Sequence, residues 1–186
     1  MTDLTGVSNR VSGGQDFEPE TTTYLEMLRP SELRPARAGQ AGFAVRRVDP
    51  AGFALGRTLY REIGADWLWI DRLVWSDAEW QAYYLNPGIE LWVGESDGGI
   101  AGYFELSKDA ERSTELAYFG LRPGFIGRGL GGLLLTAAVE RAWSGGARRV
   151  WVHTSSRDHA HALGNYLARG FRIYKTETKL APTRSG

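Results

Sequence analysis

One stretch constrains the fold of this chain more than any other. Gly127-Arg128-Gly129-Leu130-Gly131-Gly132 opens a run in which Leu130, Leu133, Leu134, Ala137, Ala138 and Trp143 recur at three- and four-residue spacing. That spacing predicts an amphipathic helix after Pro123, stopped by Gly145-Gly146, with an apolar stripe that needs a sheet to cover. Glycines let the backbone turn tightly and let an anion approach the amides. A helix N-terminus adds unpaired N–H groups and a partial positive charge. The turn is therefore a candidate phosphate cradle, with Arg128 and Arg122 as candidate charged contacts. The competing reading is a tight turn that only lets helix and sheet pack closely. No Gly-Lys-Ser/Thr follows, so the turn is not a P-loop. It also lies late in the chain, after strands that read as antiparallel, which suits a dinucleotide fingerprint poorly.

The surrounding pattern is that of one α/β domain. Thr22 to Leu28 reads as an edge strand and Phe43 to Val48 as a strand. Asp49-Pro50 predicts an N-cap and first helical residue for a helix to about Ile63. Asp66 to Trp75 holds three tryptophans in ten residues, and Ser76-Asp77-Ala78-Glu79 resembles a capping box for a helix to about Leu85. Glu90 to Glu95, Ile100 to Ser107 and Thr114 to Leu121 predict an antiparallel meander, its first turn at Ser96-Asp97-Gly98-Gly99. After the central helix, Arg149 to Thr154 is a strand, His159 to Arg169 a helix and Phe171 to Thr178 the last strand. Helices covering a mixed sheet follow from this order. Residues 1–20, poor in apolar anchors, read as a mobile N-terminal tail; 21–180 form the domain and 181–186 a C-terminal tail.

Composition excludes several chemistries. The chain of 186 residues has no cysteine, so thiolate nucleophiles, iron–sulfur clusters and Cys-type zinc sites are out. Three histidines make no persuasive zinc set, and no metal is expected. No apolar run approaches bilayer length and the N-terminus lacks a signal pattern, so the expectation is a soluble cytoplasmic protein with no membrane partner. Net charge is zero, which does not support uniform nucleic-acid binding. The charges are split, however. From Gly120 onward there are 11 Lys/Arg against 3 Asp/Glu, and before it 11 against 19. A basic part beside an acidic one can serve an anionic ligand on one side and a cationic one on the other; mutual attraction or plain solvation of the two parts is the alternative.

Residues 115–135, Glu-Leu-Ala-Tyr-Phe-Gly-Leu-Arg-Pro-Gly-Phe-Ile-Gly-Arg-Gly-Leu-Gly-Gly-Leu-Leu-Leu, resemble the GNAT acyl-CoA-dependent N-acetyltransferases. Their signature here is Gln/Arg-x-x-Gly-x-Gly/Ala. Gly129 and Gly131 match its small positions, while Ile126 replaces the Gln/Arg, leaving the cradle to backbone amides with Arg128 as a source of charge. Tyr-Leu-Ala-Arg-Gly-Phe (166–171) looks like the family's Tyr-x-x-x-Gly-Phe ending, and Ala162, four before Tyr166, also fits. His159 stands where many members carry Asn. The resemblance covers roughly 43–178 and is strongest over 115–171. More narrowly, the pattern looks like a bacterial subgroup carrying Trp-Val-His-Thr and Tyr-Phe-Gly-Leu.

The resemblance implies a single GNAT-like α/β (α+β) domain: a mixed, mostly antiparallel twisted sheet of about six or seven strands with helices on both faces. It implies acetyl-CoA as co-substrate, its pyrophosphate on the amides of Gly127, Arg128, Gly129, Leu130, Gly131 and Gly132. The pantetheine arm would pair like an extra strand near Gly120 and Leu121. It further implies direct acetyl transfer to a primary amine in a ternary complex, with Glu115 as base and Tyr166 as acid.

Such a transfer needs a neutral amine, an oxyanion donor and an acid for the thiolate. Glu105 competes with Glu115 as base, and a solvated or ion-paired Glu115 is the bland alternative. Tyr166 can equally pack as a half-buried helix tyrosine. His153 can relay protons, although a structural histidine is the simpler reading, and His159 and His161 read as helix-surface or capping residues. Trp67, Trp69, Trp75 and Trp80 suit a core; with Asp66 and Asp71, Trp67, Trp69 and Trp75 also suit a site for a cationic small-molecule or peptide amine. Asp71 beside Arg72 reads equally as an internal salt bridge. Rival functions are a non-catalytic acyl-CoA sensor and a protein using the turn for another nucleotide. A homodimer through a sheet edge is also expected to be accessible.

Overall fold

A computed structural model describes residues 16–37 and 42–183. Among them, seven strands form one sheet: β1 (Phe17–Met27), β2 (Ala44–Arg47), β3 (Ile89–Ser96), β4 (Gly99–Lys108), β5 (Ser113–Leu121), β6 (Arg149–Ser155) and β7 (Arg172–Pro182). Their spatial order is β2-β3-β4-β5-β6-β1-β7. All neighbours are antiparallel except β5 and β6. Four α-helices accompany them: α1 (Phe53–Gly64), α2 (Asp77–Leu85), α3 (Leu130–Ser144) and α4 (Ala162–Ala168). This is the mostly antiparallel α+β sheet expected, with helices on both faces. No helix of the described residues is long and apolar enough to cross a membrane.

Strand alternation divides the apolar residues between two cores. Phe104 faces a core built with Leu134, Leu135 and Val139 of α3 and Tyr166 of α4. Its neighbour Tyr103 faces the other core, with Leu59, Tyr60 and Ile63 of α1 and Trp80 and Tyr84 of α2. Local chemistry sets the ends of these elements. Ser76 and Glu79 exchange a full capping box at the start of α2. Asp97 and Gly98 both take positive φ, 52° and 74°, in the turn between β3 and β4, as a tight hairpin requires. Asp49 accepts a hydrogen bond from the Ala51 amide, but it caps a short 3₁₀ turn, Pro50–Gly52, and α1 proper starts at Phe53.

Several boundaries differ from expectation. β1 is no edge strand: it lies between β6 and β7, and β7 is the edge. Its start at Phe17 takes residues 17–20 out of the expected tail, whose residues 1–15 lie outside the described residues. At the other end β7 continues to Pro182, past the expected limit at 180, because it pairs along the whole of β1. Residues 184–186 of the expected C-terminal tail lie outside the described residues. α4 is shorter than predicted, since residues 159–161 form a turn before it.

Candidate active site

β5 and β6 pair from Ser113–Arg149 to Glu115–Trp151 and then part. On the β5 side the divergence coincides with a bulge. Leu116 pairs with Leu106 and Tyr118 with Glu105, so Ala117 is an extra residue that bends the strand. Between the parted strands opens a cavity of about 1630 Å³. Leu116–Leu121 of β5 form one wall and Val152, His153 and Ser155 of β6 the other. Beyond Glu115, the edge of β5 that faces β6 has no strand partner among the described residues. An extended ligand chain can add there as a strand would. Gly120 is required for packing at this edge: a Cβ would stand 2.4 Å from Ile63 Cγ2 of α1.

The glycine turn lines one end of the cavity through Gly127, Gly129, Gly131 and Gly132. Gly127 and Gly129 have φ of +81° and +77°, and among the described residues nothing stands within 4 Å of where a Cβ would sit on either. The turn is thus open, at the positive end of a 15-residue helix. The first-turn N–H groups of α3 have no acceptor within the helix. This suits a diphosphate. Asn165 of α4 donates to the Gly131 carbonyl at 3.2 Å and ties α4 to the turn. Leu130 does not line the cavity, and its side chain is fully buried.

The arginines expected at this cradle point elsewhere. Arg128 pairs with Asp97 in the β3–β4 turn and does not line the cavity. Arg122 donates to Glu62 of α1 at 2.8 Å. The local reason is the same in both cases: each has a carboxylate within reach on its own side of the turn.

Glu115 and Tyr166 both line the cavity. Glu115 is 24% exposed, and its Oε1 stands 3.3 Å from Nδ1 of His153, itself 46% exposed. Contact with that carboxylate holds the imidazole above the usual histidine value; burial acts against this, and the charges of Asp158 and Asp71 add to it. Tyr166 is packed between Phe119 and Phe171. Burial, with a smaller contribution from Asp158, pushes its phenol well above the usual tyrosine value, so it stays protonated at neutral pH. Asp158 is fixed at the end of β6 by Thr154 Oγ1 at 2.7 Å and the Ser155 amide at 2.8 Å.

The tryptophan-rich loop covers the cavity from the α1 side. Trp67, Trp69, Asp66 and Asp71 line it. Trp67 meets His159 edge-on, with ring centroids 5.1 Å apart, so two loops touch across the opening. Trp69 packs on Tyr118 and Tyr60. Trp75 does not line the cavity; it turns inward onto Trp80 and Tyr83, because α2 carries those rings beneath it. His159 and His161 sit in the turn before α4 and line the cavity, a place the helical reading of 159–169 obscured.

Asp71 and Arg72 do not pair with each other. Asp71 accepts from the hydroxyls of Tyr60 at 2.7 Å and Tyr118 at 2.6 Å. Desolvation pulls its carboxyl upward, but those two hydrogen bonds and the charge of Arg72 together hold it below the usual value. Arg72 instead reaches inward to Glu105 at 2.9 Å, its guanidinium 4.1 Å from the Tyr83 ring centre and 4.3 Å from that of Tyr118. The cation held among these rings is the chain's own. Glu105 is 0% exposed and also accepts from Tyr83 and Tyr84. It does not line the cavity. The Glu115–His153 contact is the feature that residue-by-residue reading passed over. Alternation in Val150-Trp151-Val152-His153 does carry the signal, since it turns His153 away from the core that Val150 and Val152 enter.

Comparisons agree with this geometry. Over 103 residues the chain is 31% identical to an uncharacterized N-acetyltransferase of Mycobacterium tuberculosis, covering 55% of this chain and 65% of that one. Over 106 residues it is 34% identical to a mycothiol acetyltransferase of Corynebacterium aurimucosum, covering 52% of this chain and 33% of that one. The chain therefore spans a third to somewhat under two thirds of the length of these relatives. A crystal structure of a GCN5-related N-acetyltransferase from Sphaerobacter thermophilus shares the fold, with a TM-score of 0.65 at 16% identity over 90% of this chain and 54% of that one. The model of the Acetyltransferase (GNAT) family matches residues 55–171, which run from α1 through the parted strands and the glycine turn to the end of α4. By that match the chain belongs to the GNAT family of acetyltransferases.

Proposed function

We propose that the protein transfers an acetyl group from acetyl-CoA to a primary amine, directly, in a ternary complex. One observation carries the reading: a single cavity joins the open glycine turn, the unpaired edge of β5, a carboxylate and a protonated phenol. The turn would hold the diphosphate through main-chain N–H groups of residues 127–132. The β5 edge near Gly120 and Leu121 would align the pantetheine arm. The Glu115 end of the cavity would accept the proton of the amine, and Tyr166 would protonate the departing thiolate. Five carboxylates, Glu20, Asp66, Asp71, Glu115 and Asp158, line the cavity against three cationic side chains, Arg72, Arg157 and Lys179. They favour an acceptor that arrives as a cation.

Binding and turnover test this separately. Acetyl-CoA at millimolar levels is expected to raise the melting temperature, by linkage of about 2.7 kcal/mol at a hundredfold excess over its Kd. CoA release on adding a panel of primary amines should follow. No shift with acetyl-CoA overturns the cradle. A shift without release for any amine overturns the transferase and leaves an acyl-CoA sensor.

A further inference from the structure

His153 has a geometry that the reading above leaves unused. It stands on β6 at the point where β6 leaves β5, with Glu115 at the last paired position of β5. The carboxylate lies 3.3 Å from Nδ1, and nearly half of the imidazole is exposed. Apart from that contact, no hydrogen bond among the described residues engages the ring, and it lines the cavity. A carboxylate at Nδ1 selects the tautomer with its proton there, which places the lone pair on Nε2. This is the arrangement in which an acid orients an imidazole base.

We infer that His153 Nε2 takes the proton from the incoming amine, and that Glu115 acts through it as a positioning residue. The inference rests on the N-acetyltransferase reading and specifies its basic end. The proton balance is simple. An ammonium acceptor gives one proton to Nε2, making an imidazolium whose charge Glu115 faces, and His153 returns that proton to solvent. The neutral amine forms the C–N bond as the C–S bond breaks and the electron pair leaves on sulfur. Tyr166 protonates the thiolate, and the second proton lost from nitrogen restores the phenol. One proton is released per transfer.

The surroundings of His153 agree. Glu115 faces it from β5, Asp158 acts on it from the end of β6, and Asp71 from the tryptophan-rich loop. From β1, Tyr24 packs beside the ring at 5.8 Å, and its hydroxyl is donated to Glu177 of β7. All three charged neighbours are anionic and favour an imidazolium once a proton arrives. Trp151, the remaining ring beside it, carries no charge.

The test uses the full chain. With only three histidines, imidazole ¹⁵N resonances can be assigned by comparison with His153→Gln. Neutral His153 should show the Nδ1–H tautomer and a midpoint above 6.5, and Glu115→Gln should bring the midpoint down to or below that value. CoA release is then followed against pH with two primary amines of different pKa. The wild type should show one acid limb common to both amines, at the midpoint found by NMR. His153→Gln should lose that limb and at least about 100-fold in kcat, with the KM for acetyl-CoA unchanged and the same melting temperature at pH 8. Glu115→Gln should keep the limb, moved to lower pH, and lose about tenfold.

A His153→Gln variant with the wild-type rate and acid limb overturns the inference. So does an imidazole midpoint that ignores Glu115→Gln. Failure of the underlying reading looks different: wild type that releases no CoA with any amine removes the transferase and the base role together, while the NMR midpoint still reports the pair.

Discussion

Glu105 and Glu115 stand on neighbouring strands and have opposite fates. Glu105 is fully buried and satisfied by Arg72, Tyr83 and Tyr84. Glu115 is partly open, touches one imidazole and lines the cavity. Both are glutamates on the strands that lead to the glycine turn, and either is a candidate base by position. The difference lies in their partners. A carboxylate sealed in the core among three donors supports the fold; one that faces the cavity with a single titratable partner keeps capacity for a proton.

The largest effect that tests this contrast is on stability. Glu105→Ala leaves Arg72 buried without its counter-charge, and should lower unfolding free energy by about 3–5 kcal/mol in urea denaturation. A loss below about 1 kcal/mol would break the comparison from the closed side. Next is Tyr166→Phe, which removes the phenolic hydroxyl and keeps the ring. Turnover should fall by about 100-fold, with the acetyl-CoA Kd from calorimetry unchanged. Full activity in that variant would take Tyr166 out of the reaction. Smaller is the effect of Glu115→Gln on folding, expected within about 0.5 kcal/mol of wild type in the same urea experiment. A cost like that of Glu105→Ala would make the two glutamates alike.

The smallest effect is pH-dependent. The folded-state pKa of His153 is raised, so its stabilising contribution is fully present below the ordinary value of 6.5 and is lost as pH rises through the folded value. The melting-temperature gap between wild type and His153→Gln should therefore be widest near pH 5.5 and close above neutrality. A constant gap would mean that the contact with Glu115 is not ionic.

The parts of this structure that short-range pattern encodes were legible beforehand. The helix after the glycine turn, the capping box at Ser76 and the hairpin at Asp97-Gly98 are each written within a few residues. Tyr166 could be placed because Gly170-Phe171 fixes its register. Partners chosen across space were not legible. Arg128 turns to Asp97 and Arg72 passes Asp71 to reach Glu105, and neither choice follows from adjacency in the chain. Trp75 looks like Trp67 and Trp69 as a residue type, and only the packing of α2 sends it inward. The place of β1 was hidden for the same reason, since the strands it joins come more than a hundred residues later.

That last feature has a consequence for how the molecule is made. Thr21 bonds to Ser156 and to Thr178, partners 135 and 157 residues away. β1 must wait for more than a hundred further residues before either neighbour exists. Loop-closure entropy makes such a ladder slow to form. The half of the sheet from β2 to β5 can assemble during that wait from contacts between sequence neighbours. The far wall of the ligand cleft, β6 held by β1, is then the last piece to be secured. A nascent or stressed chain would carry its cradle half-built, with one side of the groove still in solution.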